Sequence, residues 1–277
     1  MGLAMGRDIM NDTFIFFGRE EDISVIKPFF EEFAITSDIS KATKGVVVGG
    51  DGVILNDSVK YPILQNQLPV IKVHFRSNSF KSLGYTIDVN ASNIKTALSD
   101  LERGLYVITK NRLLELNLEG RTYYALNDVA IIAKLNRSIL MKTYLESHKY
   151  KDNTLIPTPK CTGIMVSSAY GSTAWNLAVN GAITLEDNID VMFLTFRESP
   201  LKPDHFVLSD KVSLNIDSKA PIVAIIDGKF HDIHDYEQRI AIKISKKFIP
   251  TIRTKNTYET ITSKLRRLTL FQFEQVK

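Results

Sequence analysis

Apolar and polar positions alternate between two textures along this chain. In the first stretch, Thr13-Phe14-Ile15-Phe16-Phe17 is a continuous apolar run ending at Gly18, the pattern of a buried strand. From Glu20 to Phe33 the apolar residues Ile23, Ile26, Phe29, Phe30 and Phe33 recur at helical spacing. Glu20, Glu21 and Asp22 stand at the end where a helix dipole favours acids. Val46-Val47-Val48 leads into Gly49-Gly50-Asp51-Gly52, a buried strand running into a glycine turn. Pro69–Phe75 reads as another strand, and Asn93–Leu105 as a helix with Ile94, Ala97, Leu98, Leu101 and Leu105 turned inward. Strands alternating with helices predict a doubly wound parallel sheet.

After about residue 104 the texture shortens. β-rich runs follow at close spacing over Leu105–Thr109, Arg112–Leu118, Tyr123–Ile132, Gly163–Ser167, Lys211–Ile216, Ile222–Ile226 and Arg239–Ile244, with turn residues between them. One helical segment is expected after Gly171. The chain thus reads as α/β plus all-β. An N-terminal α/β domain covers 1–102 and a β-sandwich-like domain 103–257. Residues 258–277 form a terminal helix packing back on the first domain. The first dozen residues read as an extension, and no internal repeat is present.

The 277 residues are 44% hydrophobic and 24% charged, which excludes a mainly disordered chain. No apolar run approaches the roughly 18–20 residues of a membrane-spanning helix, and no secretory signal opens the sequence. Cys161 is the single cysteine, so no internal disulfide or thiolate zinc site is expected, and a reducing cytoplasmic setting follows. Residues 1–100 carry 10 basic and 12 acidic side chains against 25 and 19 in the remainder, so an anionic ligand suits the second half. That asymmetry is too weak for a nucleic-acid groove.

Candidate chemistry concentrates at Gly49-Gly50-Asp51-Gly52. Glycines beyond a buried strand let backbone N–H groups approach a phosphate. The two common phosphate-loop patterns, G-x-x-x-x-G-K-[ST] and G-x-G-x-x-G, are both absent. A carboxylate inside a phosphate cradle repels its ligand by roughly 4 kcal/mol at 4 Å and an effective dielectric near 20. Asp51 therefore needs a role: taking a proton from an attacking hydroxyl, or holding a cation that bridges phosphates. A plain Gly-Asp-Gly surface turn is the alternative. Asn127-Asp128 places two polar residues inside an apolar strand, where one must point inward and find partners, unless a bulge or strand end intervenes. Around Gly171-Ser172-Thr173-Ala174-Trp175 a strand, a polar glycine turn and a helix succeed one another. Ser172 or Thr173 is placed to cap that helix, and Trp175, the only tryptophan, either stacks on a base or fills the core.

Taken in order, these segments resemble the NAD kinase family. The matching pieces are Gly49-Gly50-Asp51-Gly52, Leu83-Gly84-Tyr85 with Asp88, Asn127-Asp128, Gly171–Trp175 with Gly181-Ala182-Ile183, Pro200-Leu201-Lys202-Pro203, Asp227-Gly228 and Leu265-Arg266-Arg267. The resemblance spans about residues 13–271. It implies transfer of a phosphoryl group to the 2′-hydroxyl of the adenosine ribose of NAD. ATP or polyphosphate would be the donor, with a divalent metal such as Mg2+. It implies Asp51 as general base and Gly49, Gly50 and Gly52 against phosphates. The implied NAD-binding set is Tyr85, Asn127, Asp128, Thr162, Ser172, Thr173, Ala174, Trp175 and Asp227. No residue is assigned as a metal ligand. A homodimer or homotetramer working on small-molecule nucleotides, with no nucleic-acid or membrane partner, is also implied.

The sequence departs from the family pattern at five places, one being Ser77-Asn78-Ser79-Phe80-Lys81-Ser82 before Leu83, which lacks the family's glycines. Val53 follows GGDG where Thr is usual, and Asp128 stands where Glu is usual. Cys161-Thr162-Gly163 replaces Gly-Asp-Gly, and Trp175 replaces Tyr. The alternatives are a related kinase acting on a lipid or sugar hydroxyl, and a non-catalytic dinucleotide-binding regulatory protein of the same fold. His231-Asp232-Ile233-His234-Asp235 is bounded by charges and reads as a hairpin or turn. His74 and His205 read as structural, Ser167-Ser168 as no hydrolase site, and Lys264–Arg267 as a solvated helix face.

Overall fold

The structure is a computed structural model that describes residues 12–74, 88–134, 137–147, 153–156, 160–186, 189–200, 203–233 and 239–266. It divides into two compact units. One comprises Met1–Asn111 with Phe248–Lys277, the other Arg112–Lys247. The long strands Tyr106–Leu118 and Ile240–Thr254 each run from one unit into the other.

The first unit is built on parallel strands. Thr13–Phe17 lies between Ala34–Ile35 and Lys44–Val48; the latter pairs with Val70–His74, which in turn pairs with Val89–Asn90. All five residues of Lys44–Val48 are buried, as expected of a strand covered on both faces. The chain leaves Thr13–Phe17 to one side, at Ala34–Ile35, and returns on the other, at Lys44–Val48. That reversal is the topological switch point, where open α/β sheets bind ligands beyond the carboxyl ends of their strands. Gly18 and Gly49 follow the two strands that flank it.

The expected helix over Glu20–Phe33 is shorter. It runs over Glu20–Ile26 and tightens into a 3-10 turn over Lys27–Phe30, because Pro28 has no N–H to continue the ladder. The apolar positions still face inward. Phe14 meets Phe30 and Phe33 edge-on, with ring centroids 5.1 and 5.2 Å apart. Helix Ile94–Glu102 buries Ile94, Ala97, Leu98 and Leu101 as its spacing predicts. Asp100, on the same helix, is also buried, accepting from the backbone N and side-chain Nδ2 of Asn256, both at 2.6 Å.

The second unit holds two sheets. One contains Ile139–Ser147 flanked by Asn153–Ile156 and Val212–Ser218, all antiparallel, and continues through the strand beginning at Ile240. The other orders His205–Ser209, Val191–Arg197, Gly163–Ser168, Asp128–Ala133, Ile222–Ile226 and Lys229–Asp232, antiparallel throughout. Leu114, Met141, Leu214, Ile216 and Ile242 from the first meet Val129, Ile131, Val166, Met192, Leu194 and Ala224 from the second in one core. Cys161 is buried in it.

Three expected runs are divided differently. Leu105–Thr109 and Arg112–Leu118 are a single strand, Tyr106–Leu118. Tyr123–Ile132 is two strands, Arg121–Ala125 and Asp128–Ala133, parted at Leu126-Asn127. Among the described residues no helix is long and apolar enough to cross a membrane.

Candidate active site

In the first unit, the strand Lys44–Val48 delivers the chain into the glycine turn. Gly49 takes φ +132°, and a Cβ there would stand 2.6 Å from Val53 Cγ2, so only glycine fits. Its N–H donates to Val73 O at 2.9 Å, tying the turn to the neighbouring strand. Gly50 caps a short helix, Asp51–Leu55, and Val53 N–H donates to Gly50 O at 3.1 Å. A Cβ at Gly50 or Gly52 would meet no described residue within 4 Å. Among the described residues nothing fills the space beside the turn at those two positions.

Asp51 begins that helix. Its side chain is 27% exposed and forms an ion pair through Oδ1 with the ammonium of Lys72, whose side chain is wholly buried. Lys72 lies in the strand Val70–His74, level with Val47. Sequence reasoning missed Lys72, although a lysine in Val70-Ile71-Lys72-Val73 carried a signal: a charge in a buried strand needs a partner. Tyr85 lies outside the described residues.

In the second unit, Asn127 and Asp128 are both buried at the break between two strands. The Asp227 carboxylate explains the break. It accepts from the backbone N–H groups of Leu126 at 2.9 Å, Asn127 at 2.8 Å and Asp128 at 3.4 Å. Asp227 itself takes φ +48° and donates its N–H to Asp128 O at 3.0 Å. Ser168 Oγ donates to Leu126 O at 2.5 Å, and Ser167 Oγ to Asn127 O at 3.2 Å. Gly171 closes this knot, since a Cβ there would stand 2.1 Å from Asn127 O. With its backbone held, Asn127 presents a side-chain Oδ1 that is buried and without a hydrogen-bond partner. A native orphan of this kind calls for a ligand or water. Burial, and next the charge of Asp227, push the Asp128 carboxyl up to about 7.

The turn after Gly163–Ser168 differs from expectation. Tyr170–Thr173 is a 3-10 turn and Trp175–Ala178 a single helical turn, with Ala174 at its N-cap and no side-chain cap. Ser172 is buried, donating to Ala169 O at 2.8 Å and accepting from Thr184 N–H at 3.3 Å, so it braces the turn. Thr173 and Ala174 are half-buried. Trp175 packs on Ala130, Met165 and Ile225 on the outer face of the six-stranded sheet, and the Arg197 guanidinium stands 5.4 Å from its ring. A cavity of about 440 Å³, lined by Val179, Asn180, Phe196, Arg197 and His205 among others, opens there.

Thr162 lies at the other end of Gly163–Ser168 from Asn127. Gly163 pairs with Ile132 and Ser167 with Asp128, so the separation is about 20 Å at roughly 3.3 Å per residue. The second unit thus gathers Asn127, Asp128 and Asp227 but not Thr162.

The remaining candidates resolve simply. His205 is a surface residue beside Asp204 at 3.1 Å, and His231 meets the Tyr123 ring edge-on at 4.9 Å. Asp232 pairs with Lys134 at 2.8 Å, while His234 and Asp235 lie outside the described residues. Lys264, expected on a solvated face, is 1% exposed and pairs with Asp88 at 2.9 Å. Among the described residues no cluster of three or more His, Cys, Asp or Glu forms, so the chain builds no metal cage of its own there.

The fold is shared with solved kinases. A yeast NADH kinase complexed with NADH superposes with a TM-score of 0.73 at 13% identity, covering 93% of this chain and 86% of that one. An NAD kinase from Archaeoglobus fulgidus in complex with ATP gives 0.68 at 16%, covering 93% and 98%. No family model matches the chain. Curated relatives do. An NAD kinase of Caldicellulosiruptor saccharolyticus is 28% identical over 225 residues, 80% of this chain and 81% of the relative. One from Clostridium botulinum is 26% identical over 280 aligned positions, 92% and 93%. The chain is similar to NAD kinases along most of its length.

Proposed function

We propose that the protein is an NAD kinase, transferring the γ-phosphoryl group of ATP to the 2′-hydroxyl of the adenosine ribose of NAD to give NADP. The observation that carries this reading is the glycine turn. It lies at the switch point, holds Asp51 at its head and leaves space at Gly50 and Gly52 for phosphates. Similarity to named NAD kinases over most of the chain supports it.

A ribose hydroxyl is a poor nucleophile at neutral pH. Asp51 accepts its proton as the bond from the 2′-oxygen to the γ-phosphorus forms; the bond from that phosphorus to the β–γ bridging oxygen breaks, and ADP leaves. Backbone at Gly49, Gly50 and Gly52 positions the phosphates, which supplies more of the rate than the base does. Asn127, with its orphaned Oδ1, and Asp128 bind polar atoms of the adenosine, and Thr173, Ala174 and Trp175 flank the adenine; Tyr85 is assigned to NAD by the family resemblance. Asp227 and Ser172 serve NAD at one remove, by holding the Asn127 backbone and the Thr173 turn. Thr162, at the far strand end, binds a more distant part of the dinucleotide. A divalent metal such as Mg2+, if bound, would neutralise phosphate charge; the resemblance assigns no residue of the chain to hold it. A cytoplasmic homodimer or homotetramer is the working form carried by the resemblance.

The test is direct. The full chain with NAD, ATP and Mg2+ yields NADP, and Asp51→Asn folds and binds NAD without turning it over. An Asn variant with full turnover removes Asp51 from the role of base, and a wild-type chain that makes no NADP with ATP or polyphosphate removes the reading itself.

A further inference from the structure

We infer that Lys72 is a positioning residue for Asp51: its buried ammonium fixes the carboxylate at the head of the glycine turn and holds it in the ionised form that accepts a proton. The inference deepens the kinase reading and rests on it. Its basis is the ion pair between Lys72 Nζ and Asp51 Oδ1, formed by a wholly buried lysine and a partly exposed acid. The acid stands at the open side of the turn, the lysine behind it in the sheet.

A buried ammonium is costly unless it is paired, so Lys72 is fixed where it stands and the carboxylate is fixed by it. Strand register makes the arrangement rigid. Lys72 is level with Val47 in one neighbouring strand. Pairing of Val73 with Val89 puts Asp88 level with it on the other side, and Thr251 pairs with Val70 along the same strand. Asp88 is held by Arg253 at 2.6 and 3.0 Å and by Lys264 at 2.9 Å. His74 shares Lys72's face two residues on. Asp57 and Lys60, on the helix after the turn, pair with each other at 3.3 Å. Lys72 meets Asp51 directly. An opposite charge in contact favours the ionised form of an acid, by about 1–3 pH units in general. It also keeps the side chain in one rotamer, which proton transfer to a positioned base requires.

The experiment compares the full chain with Lys72→Met and Lys72→Arg. NADP formation is followed from pH 5 to pH 9 with NAD, ATP and Mg2+. Lys72→Met is expected to lower kcat at least tenfold, leave KM for NAD within about twofold, and move the acid limb of the profile up by about one pH unit. Lys72→Arg, which keeps the charge, is expected to return the limb to its original place. A second reading needs no turnover: the Asp51 carboxyl carbon, assigned with Asp51→Asn, is titrated by NMR in the substrate-free chain. Its midpoint is expected to rise by about one unit in Lys72→Met. If the wild-type chain makes no NADP, the kinase reading fails and the titration still decides the lysine's role. An unmoved acid limb, or an unmoved midpoint, overturns the inference. Should Lys72→Met not fold by circular dichroism, Lys72→Gln is read in the same way.

Discussion

Both units place an aspartate beside a glycine, yet the two pairs work in opposite ways. In the first unit Asp51 meets a lysine side chain, and no described residue fills the space beside Gly50 and Gly52. In the second, the Asp227 carboxylate is engaged by three backbone N–H groups and Gly171 is pressed against Asn127 O. The first arrangement leaves room for a ligand and a charge near it. The second leaves no room and spends its charge on shaping the chain. Glycine therefore signals access at one place and close packing at the other, and an acid signals chemistry at one and architecture at the other. Only the surroundings tell them apart.

The largest effect expected from breaking this comparison is at Asp51. Asp51→Asn should lower NADP formation by roughly 100- to 10,000-fold, the usual range for a lost general base, and lower the thermal midpoint in calorimetry, since the buried Lys72 loses its charged partner. Gly171→Ala should act on the fold. Its Cβ would overlap backbone that three hydrogen-bonding side chains hold in place, so a loss of about 4 kcal/mol, read from denaturant midpoints, is expected.

Asp128 gives a pH signature. Its carboxyl stands at about 7 in the folded chain against an ordinary 3.8, raised by burial and then by Asp227. Between those values the unfolded chain has lost the proton that the folded chain keeps, so stability falls as pH rises from about 4 to about 7 and levels off above. Asp128→Asn should remove that decline. The variant should gain on the wild type by about 4 kcal/mol at pH 8 and match it near pH 4, measured by urea unfolding at both. The smallest effect on stability is expected at Gly50. Its φ of −76° suits any residue, so Gly50→Ala should shift the unfolding midpoint by no more than about 0.5 kcal/mol. The KM for ATP should nevertheless rise several-fold if phosphate occupies the space the methyl takes. An unchanged KM would show that the open side of the turn is not where phosphate lies.

The parts legible in the sequence are those whose signal is local. Val46–Val48 into Gly49–Gly52 carries its own strand and turn chemistry, and helix Ile94–Glu102 its own periodicity. Asn127-Asp128 also announced itself, as polar residues where a strand should bury apolar ones. What stayed hidden was the partner, because Asp227 lies a hundred positions away. The strand Ile139–Ser147 escaped for another reason: Leu140 is apolar yet exposed, so the period of two is blurred. Lys264 shows the limit of reading charges as solvated faces, since Asp88, far upstream, draws it into the interior. Lys72 obeyed the same rule, and its partner was the most noticeable acid in the chain.

The first unit is closed by the last part of the chain. Its sheet takes Thr251 beside Val70, and Asp88 is neutralised by Arg253 and Lys264, all downstream of Lys247. A ribosome delivers the whole second unit before any of these residues emerge. The amino-terminal strands must therefore wait, incomplete, while everything between is synthesised and folds. Removing Thr251, Arg253 and Lys264 would take away the partners of Val70 and Asp88, although they are far apart in sequence.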